Sequence, residues 1–218
     1  MDGIHAYFQL VRERPDLFRQ SERVPLILEE GAMRAFARSQ HREMGLVYDN
    51  RPYYMLLADL CGSAGREFAY CRVVYPQQGS NGVVVIARRE DRFALLSIFR
   101  HGTRRESLEF CRGFADPGAS PEENVRREVR EELGGEVLSL SCLGEVQADS
   151  GLCSGSVQVY TAEVGPCARM DTEGIHGLRW VTEPELRQLI ADGAITDSFT
   201  LSAYARLLCS GAALPERR

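Results

Sequence analysis

Residues 113–134, GFADPGASPEENVRREVREELG, constrain this chain more than any other stretch, because they set one glycine-bounded loop and one charged helix. Ser120 can cap with its side chain, Pro121 suits the first helical position, and Glu123 stands three residues after the serine. Gly134 and Gly135 supply the stop. The spacing predicts a helix from Pro121 to Leu133. On it Glu128, Glu131 and Glu132 fall at i, i+3 and i+4, so three carboxylates share one face. Like charges so placed repel, by about a few tenths of a kcal/mol per pair on an exposed helix. Arg126, Arg127 and Arg130 can relieve that repulsion, which leaves an ordinary solvated surface helix. A hard cation can relieve it too, since clustered carboxylate oxygens are what Mg²⁺ and Mn²⁺ prefer. Helical spacing alone leaves both open.

The flanks read as an α/β chain. In the first fifty residues, 5–14 and 26–38 carry helical spacing of apolar positions, punctuated by Pro15 and Pro25. From Pro52 the texture changes to short β-rich runs: PYYMLLADL, EFAYCRVVYP, GVVVIARR and RFALLSIFR, with CGSAGR and Glu90-Asp91 as turns. SLEFCRGF reads as one further strand ending at Gly113. EVLSLSCLGEV, SVQVYTAEV and IHGLRWV follow the charged helix as three more. Two helices close the chain, one capped by Thr182 with Glu185 three later, the other capped by Asp197. The expectation is a mixed sheet with helices against it, residues 51–218, preceded by a helical N-terminal appendage over 1–50.

Composition removes several classes of function. The formal net charge is −5, with 26 basic and 31 acidic residues, which argues against a dedicated nucleic-acid binder. No apolar run reaches the roughly 18 residues a membrane-spanning helix needs, and the N-terminus lacks the pattern of a secretion signal. The seven cysteines are scattered with no C-x-x-C pair, which fits free thiols in a reducing, cytoplasmic compartment. The four histidines are too dispersed for a metal cluster.

The charged stretch resembles the Nudix box, G-x(5)-E-x(7)-R-E-U-x-E-E-x-G-U with U aliphatic. Gly113 matches the opening glycine, and Arg127-Glu128-Val129-Arg130-Glu131-Glu132-Leu133-Gly134 matches the central and closing run. Two positions depart: Ala119 stands at the first box glutamate, and Gly135 at the closing aliphatic residue. SLEFCRGFADPG before the box, DSGLCSGSVQVYTAEV after it and IHGLRWVTEPELRQLIADGAITDSFTLSAYARLL at the end resemble the ADP-ribose pyrophosphatase branch of that family.

The resemblance implies an α/β/α sandwich around a mixed sheet. It also implies a metal-dependent hydrolase that cleaves the pyrophosphate of a nucleoside diphosphate linked to another moiety. The substrate would be ADP-ribose or a related NDP-sugar, a small molecule, and the family often forms homodimers. By resemblance Glu128 and Glu132 are the main ligands of Mg²⁺ or Mn²⁺, Glu131 a further or shared one, and the main-chain carbonyl of Arg112 an added oxygen. Arg127 would orient a glutamate by charge-assisted hydrogen bonds. Glu173 reads as the general base or as an exposed loop carboxylate, with Glu145 and Glu163 as weaker alternatives for the base. Arg100 opens a basic stretch that reads as phosphate-binding or as solvated surface. Glu109 reads as a contact to ribose hydroxyls or a metal, or as the partner of an arginine. Trp180 reads as core. The competing reading is a non-catalytic nucleotide sensor that regulates a partner. Ala119 gives it a foothold, but a sensor has no need of all three box glutamates, and all three are present.

Overall fold

The computed structural model describes residues 2–51, 53–75, 80–168, 171 and 174–211. Its contacts divide the chain into two compact units, Met1–Gln78 with Asp149–Gly155, and Gly79–Ala148 with Ser156–Arg218.

The first unit holds α1 (Gly3–Glu13), α2 (Glu30–Gln40) and an antiparallel sheet of β1 (Gly45–Asn50), β2 (Tyr54–Ser63) and β3 (Arg66–Val74) in that order. Ile4, Tyr7, Phe8 and Leu10 of α1 and Met33 of α2 share a core with Met55, Leu57 and Leu60 of β2. Asp59 is buried in it, accepting from the Tyr7 hydroxyl at 2.5 Å and from Arg72 Nε at 2.6 Å, so its charge is paired. Two stretches read as helical from the sequence differ. The helix expected over 26–38 begins only at Glu30, because Leu26 bridges Cys61 and the Ile27 N–H donates to the Leu60 carbonyl at 2.8 Å. Residues 45–50 are a strand, paired with β2. The sequence changes texture at residue 51, whereas the packing changes at 78, since the apolar faces of α1 and α2 are covered by β1–β3.

The second unit comprises β4 (Gly82–Arg89), β5 (Arg92–Arg100), β6 (Arg105–Glu109), β7 (Cys111–Phe114), α3 (Pro121–Leu133), β8 (Val137–Val146), β9 (Val157–Val164), β10 (Ile175–Thr182), α4 (Glu183–Ala191) and α5 (Ser198–Cys209). Its sheet runs β10-β5-β4-β9-β8, with β6 added on β5 and β7 on β4. β4 and β9 are parallel and the other pairs antiparallel, so the sheet is mixed. The period-two alternation of β4 decides its two faces. Val83, Val85 and Ala87 pack with Val125, Val129 and Leu133 of α3; Val84 and Ile86 pack with Leu186 of α4 and Ala203 and Leu207 of α5. This is the expected α/β/α sandwich. No helix among the described residues is long and apolar enough to cross a membrane.

The sheet is not continuous between its two central strands. β4 and β5 pair only beside their turn, Arg88 with Phe93 and Arg89 with Arg92. Farther on the sheet forks: β7 takes the edge of β4 along Gly82–Val85, and β6 takes the edge of β5 along Leu96–Arg100. SLEFCRGF is therefore two strands, broken at Phe110, whose N–H donates to Thr200 Oγ1 at 3.1 Å.

Candidate functional site

The helix α3 forms for the reasons its sequence gives. The Glu123 N–H donates to Ser120 Oγ at 3.2 Å, the Ser120 N–H donates to Glu123 Oε2 at 2.7 Å, and Gly134 ends the helix at φ 59°. Burial of Val125, Val129 and Leu133 fixes its rotation about its own axis. Glu128 and Glu132 are then turned toward β7 and are 5% and 8% exposed, whereas the Glu131 side chain is 55% exposed.

The two buried carboxylates are held by neighbours in the chain. A Cβ on Gly113 would stand 1.8 Å from Glu128 Oε1, so glycine is what lets that carboxylate lie against the strand. The Arg112 N–H donates to Glu132 Oε2 at 3.0 Å. Arg127 straps loop to helix: its Nη2 lies 2.8 Å from Glu128 Oε1 and donates to the Phe114 carbonyl at 2.7 Å, and its Nη1 donates to Glu131 Oε2 at 2.9 Å. Its Nε lies 2.8 Å from Asp116 Oδ2. Asp116 therefore brings a carboxylate to Arg127 although position 119 is alanine.

Burial raises the Glu128 pKa from its ordinary 4.5 to about 7; Arg127 pulls it down, and Glu132 and Glu131 push it up further. The Cys111 thiol beside them is held well above its usual value by burial and by the same two buried carboxylates. The site gathers carboxylate oxygens of Glu128 and Glu132 in a buried setting, and such oxygens fit a hard divalent cation. Among the described residues no three His, Cys, Asp or Glu side chains already converge as a finished ligand set. Glu131 is drawn to Arg127 instead.

The fork of the sheet holds a second group of charges. Arg100 donates from Nε and Nη2 to the Glu109 carboxylate, at 3.0 and 2.6 Å, and Glu109 Oε2 accepts from Arg112 Nε at 2.9 Å. Glu109 is 2% exposed; burial works to raise its pKa, but the two guanidiniums outweigh it and the net shift is downward. Arg112 Nη2 lies 3.3 Å from Asp197 Oδ1, and its guanidinium sits 4.9 Å from the Phe199 ring centre. Asp197 and Thr200 are the members that sequence reading misses as site residues. Asp197 reads from the sequence only as a helix cap, and Thr200 carries no local signal.

Glu173 lies outside the described residues. Of the alternatives, Glu163 sits between Ala162 and Val164, which face α3, so it points to the other side of the sheet, where Arg88 lies 3.7 Å away. Glu145 pairs in register with Gln158, which shares the face of Tyr160 and hence the side of α3. Trp180 packs on the α3-side core, as expected, with Arg89 4.7 Å over its ring. All seven cysteines are free thiols.

Gly135, where the box has an aliphatic residue, has a local reason. A Cβ there would stand 2.6 Å from Cys167 Sγ, so Cys167 occupies the space that side chain would fill. Gly135→Ala should cost about 1 kcal/mol of stability by overpacking. Adding Cys167→Ala should restore it in denaturant unfolding; an uncorrected loss would show that Cys167 is not the obstacle.

A family model described as the NUDIX domain matches residues 76–200, more than half of the chain. No curated protein matches the chain at a significant level. A crystal structure of an ADP compounds hydrolase is similar with a TM-score of 0.63 at 21% identity, over 77% of this chain and 93% of its own. At that identity the likeness speaks for the fold.

Proposed function

This chain belongs to the Nudix family, and on that premise we propose that it is a metal-dependent hydrolase of ADP-ribose or a related NDP-sugar. It cleaves the pyrophosphate to give a nucleoside monophosphate and a sugar phosphate. The observation that carries the reading is the buried pair Glu128 and Glu132, one lying against Gly113 and the other held by the Arg112 amide. The substrate class follows the resemblance of the segments outside the box and agrees with the name of the structural neighbour.

Glu128 and Glu132 would hold Mg²⁺ or Mn²⁺, with Glu131 and the Arg112 carbonyl as further oxygens. When bound, the cation supplies charge neutralisation at the pyrophosphate and makes a water easier to deprotonate. Arg127 keeps the carboxylates of Glu128 and Glu131 oriented. Arg100, fixed by Glu109 on one edge, offers its guanidinium to a phosphate. Glu173 takes the proton of the attacking water. The reading carries with it a homodimer in the cytoplasm.

The test is a substrate panel with Mg²⁺ and with Mn²⁺, scored by nucleotide product. ADP-ribose or an NDP-sugar should yield the nucleoside monophosphate. Nucleoside triphosphates or dinucleoside polyphosphates turned over far faster than any diphosphate sugar would overturn the substrate class. ADP-ribose binding without metal-dependent turnover would leave a sensor.

A further inference from the structure

At the start of α5 a buried hydrogen-bonded chain runs back toward the carboxylates. The Phe110 N–H, at the break between β6 and β7, donates to Thr200 Oγ1 at 3.1 Å. The Thr200 hydroxyl and its N–H both donate to Asp197 Oδ2, each at 2.8 Å. The other Asp197 oxygen faces Arg112 Nη2 at 3.3 Å, and the amide of that same arginine donates to Glu132. We propose that Asp197 and Thr200 are positioning residues, which hold Arg112 so that Glu132 is presented to a cation. The proposal rests on the metal site proposed for Glu128 and Glu132 and assigns it two residues from a helix that contributes no ligand.

Thr200 is 0% exposed, so no water can replace its hydroxyl, and a buried N–H without a partner is costly. Thr200 therefore pins the fork where the strand is broken. Gly113 lies against Glu128 on the α3 side of β7, so the Arg112 side chain is directed to the α5 side, where Asp197 engages it, while Glu109 of β6 reaches its Nε at the fork. With its guanidinium anchored by Asp197 and Glu109, Arg112 has a fixed course along β7, and so has the backbone amide that holds Glu132. Loosening the Asp197 end lets that amide shift, and the carboxylate it presents shifts with it.

The bland reading is that Asp197 is only the cap of α5, and one variant separates the two. Asparagine caps a helix about as well as aspartate, so Asp197→Asn keeps the cap and removes the charge that faces Arg112. The metal-free protein is titrated with Mn²⁺, free ion being counted by electron paramagnetic resonance, and kcat and KM are measured on a substrate the wild type turns over. Asp197→Asn should weaken Mn²⁺ binding and lower kcat, each about tenfold, the size expected for groups that orient a metal ligand. KM should change much less. Thr200→Val should behave like Asp197→Asn, and Thr200→Ser should stay close to wild type. Wild-type Mn²⁺ affinity in Asp197→Asn, or a Thr200→Val that loses only thermal stability, overturns the proposal. A wild type that binds Mn²⁺ without turnover sinks the hydrolase reading alone, since the Mn²⁺ titration still decides this one. No Mn²⁺ binding by the wild type sinks both.

Discussion

Glu132→Gln is expected to lower kcat by ~10²–10⁴-fold, about 3–5 kcal/mol of transition-state stabilisation. Glutamine keeps the shape and still accepts the Arg112 N–H, so the fold has no reason to suffer; what is lost is the anionic oxygen a hard cation requires. Glu128→Gln should lose as much, and it carries a second signature. The folded protein keeps the Glu128 proton up to about pH 7, whereas the unfolded chain releases it near 4.5. Between those values the native state binds more protons, so the contribution of this group to stability falls as pH rises through the window. The stability difference between wild type and Glu128→Gln, from denaturant unfolding without metal, should therefore shift against the wild type from pH 5 to pH 8. Saturating Mg²⁺ should reverse the shift, because the cation binds the ionised form. Full activity in either variant would remove that glutamate from the site.

Gly113→Ala is expected to abolish detectable turnover and to destabilise the protein by about 1–3 kcal/mol. The new Cβ would lie within 2.5 Å of Glu128 Oε1, Cδ and Oε2. The helix cannot retreat, since Val125, Val129 and Leu133 anchor it in the core; the strand cannot, since Gly113 pairs with Val83 of β4. The carboxylate has to swing out. Gly113→Ala combined with Glu128→Ala should then recover the lost stability without recovering activity, measured by thermal unfolding and turnover together. If the double variant is less stable than Gly113→Ala alone, the clash is not with Glu128.

Much of this site was legible because its signals are local. The Ser120 cap, Pro121 and Gly134 set the bounds of α3 within the chain itself, and the i, i+4 spacing placed Glu128 and Glu132 together. The strands of the second unit announced themselves as short β-rich runs between turn residues. What sequence could not give depends on partners distant in the chain. The run 26–28 has helical spacing yet lies extended, because β2 offers it backbone partners. SLEFCRGF reads as one strand because nothing local shows that its two halves join different neighbours. Asp197 and Thr200 look like any helix start until the fold brings Phe110 and Arg112 to them. Glu109 stayed ambiguous for the same reason, since its two arginines lie on separate strands.

The parallel pairing of β4 with β9 also makes the site depend on a contact between residues distant in the chain. The β4–β5 hairpin and α3 can form from contacts near in the chain, whereas Val84 meets Val159 only after α3 and β8 lie between them. Tyr160, Ala162 and Val164 complete the surface that α3 covers. Until they arrive, Glu128 and Glu132 stay hydrated and repel one another little. Their repulsion in a dry setting therefore waits on a pairing between residues distant in the chain. A cation that recognises only the completed pair is expected to slow unfolding more than it hastens folding, and unfolding rates with and without Mg²⁺ check this.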